Sequence, residues 1–330
     1  MRRSRWPRRA LVGSADFVSR RPFLPLVALA ALAHVAAPGP VAEAQGIPFH
    51  TPTALPLPLA ENGIRAFYQH MELHDLLRGG RAVANPENLA VIMDVVPVMI
   101  QAAVTPHTIA IVGGQYRHAS FDRNGTAKTN SGSGDVTVMV RQDLLANDFV
   151  AGNRRLAVLV GASLPTGDTG DNADPLAPPL RLGTGTVNVS GQAVYSYVNN
   201  RFGVHGALGY AAATGSRFGV RPGDRVLYNL AFGARIAPEE FRTRKDVSVA
   251  AYLELIGNVE QRSTQQGASL ADTGGHLLLL APGVQVIPLQ NWALDASLQL
   301  PVVRDTHGTQ LAPAWSLAIG LRTVFYLLGG

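Results

Sequence analysis

The sequence predicts an all-β protein: an antiparallel transmembrane β-barrel of about 12 strands with short periplasmic turns and longer outer loops. Apolar and polar residues alternate over runs longer than the roughly five or six residues usual in soluble sheets. Short connections mostly alternate with long ones rich in Gly, Asp, Asn, Pro and Thr. Only 15% of the 330 residues are charged, whereas soluble domains have roughly 25%. Strands that cross a membrane would account for all three observations.

The first element is a predicted secretory signal peptide at residues 1–44, cleaved after Ala44. It combines an arginine-rich start, the apolar run FLPLVALAALAHVAA and the small-residue site AEA at 42–44. Its seven arginines outweigh Asp16 and Glu43 by the whole net charge of +5, so the rest of the chain is neutral. This distribution argues against a nucleic-acid partner. The stretch SRRPFL at 19–24 also resembles a twin-arginine signal, which leaves the export route open.

Residues 45–60 are rich in proline and are predicted to form a periplasmic or plug segment. Residues 61–330 are predicted to form the barrel, because alternating segments recur through them and no window after residue 44 holds 18 consecutive apolar residues. The predicted strands are residues 63–73, 89–103, 108–121, 135–142, 154–164, 184–198, 201–214, 224–236, 246–259, 275–287, 290–303 and 314–327.

Each predicted strand has an apolar face and a small or polar face. In the eighth, Val226, Leu230 and Phe232 face one way, and Asn229 and Arg235 the other. The apolar face suits lipid and the polar face suits a lumen. The charged residues of the polar faces are therefore candidate lumen-lining residues: Arg141, Arg155, Arg235, Glu254, Asp295 and Arg322. Two interpretations stay open: rings of charge that set solute selectivity, or ion pairs that close the lumen.

The connection TGDTGDNADPLAPPLRLG at 166–183 is predicted to be a solvated loop outside the membrane, and VNN at 198–200 a turn at the periplasmic rim. The aspartates of this outer loop, at 168, 171 and 174, are spaced by three. A calcium loop places its ligands at alternate positions instead. A weak surface site for divalent ions is therefore only a minor alternative.

Catalytic and cofactor motifs are poorly supported by the sequence. HMELH at 70–74 has Met71 where a zinc protease needs glutamate, and the chain has no cysteine. GTGTVNVSG at 183–191 opens a strand and lacks the dinucleotide-binding spacing. Ser190, His205 and Asn229 lie on polar faces of neighbouring strands, which leaves a hydrolase triad as a minor alternative. We therefore expect no enzyme activity, no metal site and no cofactor.

Three stretches carry a resemblance to a known family: SLPTGD at 163–168, GTGTVNVSGQAVYSY from Gly183, and PGVQVIPLQNWALDASLQLPV from Pro282. With the signal peptide and the long strands, they resemble the outer-membrane barrel "transporter" family linked to a MetA pathway of phenol degradation. This family is distantly similar to the long-chain fatty-acid channels. The resemblance implies a monomeric barrel that passes hydrophobic or aromatic compounds. One departure is the tail of four residues after Tyr326, since such barrels usually end on an aromatic residue recognised during assembly.

The expected function is an outer-membrane channel of a Gram-negative bacterium for passive uptake of small, hydrophobic or aromatic solutes. The expected partners are outer-membrane lipid, the barrel assembly machinery and a small-molecule solute that the sequence does not identify. The alternative is a non-transport barrel with a structural or surface-adhesion role. Deleting residues 166–182 is expected to separate the two, because adhesion would be lost and permeation would survive.

Overall fold

The computed structural model describes residues 47–59, 61–150, 152–170, 176–240, 243, 246–289 and 291–326. The predicted signal peptide at 1–44 lies outside these residues. Twelve antiparallel strands follow one another around a closed barrel, which confirms the predicted fold class. They are β1 (Glu61–Arg78), β2 (Ala90–Thr105), β3 (Thr108–Arg123), β4 (Val136–Phe149), β5 (Gly152–Leu164), β6 (Asn188–Asn199), β7 (Phe202–Ala213), β8 (Arg225–Ala237), β9 (Ser248–Glu260), β10 (Gly275–Leu289), β11 (Trp292–Thr306) and β12 (Thr309–Tyr326).

The first and last strands close the barrel. β1 pairs with β12 from Glu61 opposite Tyr326 to Arg78 opposite Thr309, with irregular pairing between Glu72 and Asp75. A closed sheet has no free edge, so its backbone N–H and C=O groups are paired between neighbouring strands. Closure is a requirement for strands in lipid, because each unpaired backbone group there costs several kcal/mol.

The predicted alternation separates the two faces of the sheet. Leu230 and Phe232 on β8 are more than half exposed, whereas Ala231 between them is fully buried. On β9, Leu253 is 48% exposed and Glu254 only 1%. A sheet closed on itself buries its inner face, so the exposed apolar side chains point outwards. Since each of the twelve strands contributes at least one large apolar side chain to this outer surface, lipid surrounds the barrel.

Four turns at one end of the barrel are short. Two residues separate β2 from β3, β4 from β5, β6 from β7 and β10 from β11. The fourth predicted strand, 135–142, was too short, because β4 continues to Phe149. Its pairing with β5 shifts between Asp143 and Leu145. That bulge leaves Leu144 and Leu145 both exposed, which breaks the alternation on which the prediction depended.

The other end of the barrel carries larger connections. Residues Thr126–Ser133 form an additional strand that pairs with the outer part of β3. A small three-stranded sheet joins the β7–β8 connection to the β9–β10 connection. Between β5 and β6, a 3-10 turn spans Pro178–Leu180. None of the described residues belongs to a helix long and apolar enough to span a membrane.

Four aromatic rings, from β4, β6, β7 and β8, form a row near the short turns. Ring centroids are 5.8 Å apart for Phe149 and Tyr197, 6.0 Å for Tyr197 and Phe202, and 6.2 Å for Phe202 and Phe232. Aromatic side chains favour the interface between hydrocarbon and headgroups. This row is therefore the arrangement expected where the barrel leaves the inner face of the membrane.

Candidate functional site

Residues 47–59, which precede β1, lie inside the barrel, and we call them the lumen segment. Hydrogen bonds connect the segment to side chains of β1, β4, β6, β9, β10, β11 and β12. Contacts with strands all around the ring are possible only from within it. Prolines at 48, 52, 56 and 58 remove backbone donors, so the segment cannot pair as a strand. Its remaining N–H groups need acceptors from the barrel wall.

Glu254 on β9 supplies most of those acceptors. Its carboxylate accepts hydrogen bonds from the N–H groups of Phe49 (2.8 Å), His50 (3.0 Å) and Thr51 (2.7 Å), and from the Thr51 hydroxyl (2.8 Å). A carboxylate buried this deeply needs such donors, because an unpaired buried charge is very unfavourable. Each hydrogen bond to a charged acceptor is worth roughly 1.5–3 kcal/mol. Glu254 is therefore a strong anchor for three consecutive residues of the lumen segment.

A second anchor joins β10, β11 and β12 to the start of the lumen segment. Arg322 donates to both carboxylate oxygens of Asp295, from Nε at 2.9 Å and from Nη2 at 2.8 Å. Gln285 donates to the same carboxylate at 2.7 Å. Arg322 Nη2 also donates to the Ile47 carbonyl at 2.8 Å, and Gln285 Oε1 accepts from the Ile47 N–H at 3.3 Å. The bidentate ion pair thus also holds the backbone of Ile47.

Three further contacts fix the middle of the lumen segment. Arg65 donates to the Phe49 carbonyl, and its guanidinium carbon lies 4.9 Å from the centroid of the Phe49 ring. Arg141 Nη1 donates to the Thr53 carbonyl at 3.1 Å. Ser196 Oγ accepts from the Ala54 N–H at 2.9 Å. Ala54 is fully buried in an apolar cluster with Ala157, Leu159 and Val194.

Arg141 and Arg155 share one carboxylate on the inner wall. Arg141 Nε lies 3.3 Å from Asp143 Oδ1, and Arg155 Nη1 lies 4.0 Å from Asp143 Oδ2. Arg155 also donates to the exposed Asp148 at 2.8 Å. These charges are paired along the wall, and Arg141 connects the pair to the lumen segment through Thr53.

His50 is the titratable residue of the lumen segment. Its Nε2 lies 3.1 Å from Ser297 Oγ, and the Gln299 amide lies 3.1 Å from its Nδ1. Burial, with the positive charge of Arg65 nearby, lowers the pKa of His50 from 6.5 to about 3. The imidazole is therefore neutral at physiological pH, as its place among uncharged hydrogen-bonding groups requires.

The structure does not bring all six candidate residues together. Arg141, Glu254 and Arg322 contact the lumen segment directly, Asp295 acts through Arg322, and Arg155 through Asp143. Arg235 lies apart from them and donates to the Glu239 carbonyl at 3.4 Å, in the β8–β9 connection. Sequence reasoning missed four residues: Arg65, Asp143, Gln285 and His50. Arg65 and Gln285 follow the polar alternation, but Asp143 falls beyond the predicted end of its strand and His50 has no pattern.

A cavity of about 750 Å³ lies towards the longer loops. Its apolar lining comes from Pro97 and Met99 on β2, Met139 on β4, and Leu182, Val220, Pro222 and Leu270 in the connections. Four charged residues also line it: Arg117, Asp135, Arg181 and Glu260. Met139 in addition packs against the apolar cluster around Ala54. The cavity and the lumen segment are therefore neighbours inside the barrel.

The β5–β6 connection covers this cavity, held by Asp135. The Asp135 carboxylate accepts hydrogen bonds from the N–H groups of Gly167 (3.0 Å) and Thr184 (2.8 Å), and from the Thr184 hydroxyl (2.8 Å). A Cβ on Gly183 would lie 2.2 Å from Asp135 Oδ1, so only glycine fits there. Leu182 is buried. The described part of this loop thus packs inward and lines the cavity, whereas the sequence predicts only a solvated loop.

The motifs set aside in the sequence have ordinary structural roles where they are described. His70 Nδ1 lies 2.8 Å from Asp94 Oδ1, and Tyr68 donates to the same oxygen at 2.6 Å. His205 Nδ1 lies 2.9 Å from Ser196 Oγ rather than near Ser190. No group of three or more metal-ligating side chains occurs among the described residues. Asp171 and Asp174 lie outside them.

Solved structures of other proteins match this chain. An outer membrane channel from Pseudomonas putida F1 has 16% identity and a TM-score of 0.64, and the match covers 82% of this chain and 97% of that one. The β domain of the Bordetella autotransporter BrkA has 14% identity and a TM-score of 0.46, over 80% of this chain and 99% of that one. A FadL homologue from Pseudomonas aeruginosa has 6% identity and a TM-score of 0.36, over 81% and 90%.

The closed barrel with its apolar outer surface is that of a protein of the outer membrane of Gram-negative bacteria. A search of curated protein sequences gives no match. One family profile matches residues 94–310, about two thirds of the chain. The chain therefore belongs to the family described as "Putative MetA-pathway of phenol degradation".

Proposed function

We propose that this barrel is a channel for passive uptake of small hydrophobic or aromatic solutes, and that the lumen segment is its plug. The observation that carries the proposal is the largely apolar cavity of about 750 Å³ inside the barrel. Cavities of roughly 300–1,000 Å³ with such linings are typical of sites for small organic ligands. The family description, which refers to phenol degradation, supports an aromatic solute. Passive uptake requires no enzyme activity and no cofactor.

The position of Met139 supports a gating role for the lumen segment. Met139 lines the cavity and also packs against the cluster around Ala54. A solute that leaves the cavity towards the periplasm therefore meets the lumen segment. Wall side chains hold this segment, and no strand pairing does, so it can be displaced without breaking a strand pair of the barrel. Of the two interpretations of the lumen charges, we favour ion pairs and anchors that close the lumen.

The proposal is tested by uptake and by conductance. Cells of a Gram-negative host are made to express the barrel, and the initial uptake of a radiolabelled monocyclic aromatic is compared with that of a pentose. We expect the barrel to raise uptake of the aromatic and not of the sugar. Deleting residues 47–58 should raise the single-channel conductance in planar bilayers. A barrel that is correctly folded by heat-modifiability but leaves aromatic uptake at background, with and without the deletion, would contradict the proposal.

The alternative, a structural or adhesive barrel, needs a different test from the one that the sequence suggests. Pro178, Arg181 and Leu182 line the cavity, so deleting residues 166–182 would alter permeation as well as any surface binding. Changes in the lumen segment are more selective, because adhesion through the outer loops does not involve it. We further propose that the barrel assembly machinery inserts the chain into the lipid that surrounds it.

A further inference from the structure

We propose that the cavity binds amphipathic anions, with an apolar body on its apolar wall and a single carboxylate on Arg117 and Arg181. This proposal rests on the proposed uptake function and names the substrate class of the same site. Channels that accept any apolar solute need no charge in their binding cavity. The two arginines therefore favour a ligand with an anionic group.

Arg117 on β3 is an arginine with weak partners. Its Nη1 donates to the Leu182 carbonyl at 3.2 Å, and its Nη2 points at the Met93 sulfur at 3.3 Å. A thioether is a poor acceptor for a charged donor. Among the described residues, no carboxylate forms an ion pair with Arg117. A half-buried guanidinium gains most when an anion completes its hydrogen bonds.

Arg181 brings a second positive charge to the wall of the same cavity. It directly precedes Leu182, whose carbonyl accepts from Arg117, and its own Nε donates to the Leu176 carbonyl at 2.9 Å. Its guanidinium lies 5.0 Å from the centroid of the Phe218 ring, and that of Arg217 lies 4.4 Å from it. Partial burial and the charge of Arg217 lower the pKa of Arg181 from its usual value. An anionic ligand would relieve this repulsion.

The two acidic residues of the cavity offset this charge only in part. The negative charge of Asp135 acts on Arg117 from a distance, but the hydrogen bonds of its carboxylate come from Gly167 and Thr184. Glu260 lies on β9, six strands on from β3 in a ring of twelve, and pairs in register with Arg225. Arg117 and Glu260 therefore lie on opposite walls of the barrel. The cavity has a positive side, and Met99 and Met139 give it flexible apolar walls that fit a variable hydrocarbon body.

The test compares a carboxylate with its neutral isostere. Equilibrium dialysis measures binding of radiolabelled 4-phenylbutyrate and 4-phenylbutyramide to the barrel in lipid nanodiscs at pH 7.5, with empty nanodiscs subtracted. We expect the carboxylate to bind at least tenfold more tightly than the amide. Arg117→Gln should lower carboxylate affinity about tenfold and leave amide affinity within twofold, and Arg117→Lys should restore part of the loss. Arg123→Gln is the matched control, because Arg123 ends the same strand and pairs with Glu87 on the surface.

The outcomes separate the two proposals. Equal binding of carboxylate and amide to the unchanged barrel would overturn anion recognition and leave apolar uptake intact. Absence of binding for both ligands would instead contradict the cavity as the solute site. If Arg117→Gln does not fold, the comparison of the two ligands on the unchanged barrel and on Arg181→Gln still decides the question. An undiminished carboxylate preference in Arg181→Gln would exclude Arg181 as a ligand.

Discussion

Glu254 is the single residue whose change reports most directly on the lumen segment. Glu254→Gln keeps the size of the side chain but removes its charge and one of its two acceptor oxygens. Both oxygens accept hydrogen bonds in the unchanged protein, four in all. We expect the free energy that holds the lumen segment in place to fall by about 2 kcal/mol. The reason is that a hydrogen bond to a charged acceptor is stronger than one to a neutral acceptor. Single-channel recordings should then show more frequent or larger openings.

Glu87→Gln is the matched control for that change, since Glu87 is an exposed carboxylate that pairs with Arg123 at the outer end of β3. Its recordings should match those of the unchanged barrel. Identical recordings for all three proteins would mean that Glu254 does not hold the segment in place.

His50 makes the attachment of the lumen segment dependent on pH. The pKa of His50 falls from 6.5 to about 3 when the lumen segment is attached to the wall. Between these two pH values, His50 of a displaced segment therefore binds a proton that His50 of the attached segment does not. Attachment is therefore strongest above pH 6.5 and weakens as the pH falls towards 3, by up to about tenfold per pH unit. Channel opening should rise between pH 7 and pH 5.

Other charged groups lie around His50, so a variant must isolate its contribution. Glu254 and Arg65 lie beside His50, and Asp295 lies behind Arg322. His50→Gln should flatten the pH response between 7 and 5. A slope unchanged by His50→Gln would assign the response to another group.

At the scale of elements, the β5–β6 connection depends on one buried carboxylate. Asp135→Asn removes the charge that holds Gly167 and Thr184, so the connection should open more often. Trypsin should then cleave after Arg181 about tenfold faster, because a loss of 1.4 kcal/mol is a tenfold change in the open population.

The control for this prediction is Asp122→Asn. Asp122 accepts from the Gly125 N–H at 2.8 Å in an exposed turn and forms no hydrogen bond with the described residues of the β5–β6 connection. Cleavage after Arg181 should be unchanged there. Equal cleavage rates in the two variants would show that Asp135 does not hold the β5–β6 connection in place.

For the whole molecule, the chain offers a direct test of its orientation, since it contains no cysteine. Single cysteines at three positions should react differently with a membrane-impermeant maleimide. Thr129→Cys, in the additional strand Thr126–Ser133, should be labelled on intact cells. Asn200→Cys, in the β6–β7 turn, should be labelled only after permeabilisation. Leu230→Cys should resist labelling in both, because it faces lipid.

Labelling of Asn200→Cys on intact cells, with protection of Thr129→Cys, would reverse the proposed orientation. The barrel itself would survive that result, since closure depends on the β1–β12 pairing and not on which end faces outwards.

The sequence by itself determined the barrel. Period-two alternation is a local property, because neighbouring side chains of a strand point to opposite faces whatever the fold around them. It identified all twelve strands, and on β8 it separated Phe232 from its buried neighbour Ala231. The polar faces that it predicted include Arg141, Arg155, Glu254 and Asp295, which are buried in the structure. Alternation was unreliable where a bulge interrupts it, as it does after Asp143.

Only the tertiary structure decided what fills the barrel. Residues 47–59 carry no periodicity, and prolines exclude them from the sheet, so nothing local shows that Glu254 accepts their N–H groups from more than 200 positions away. The same holds for Asp135 with Thr184, and for Arg117 and Arg181 beside one cavity. Such contacts depend on barrel closure, which brings distant strands around a common axis. The alternation of apolar and polar residues along one strand contains no information about distances across that axis.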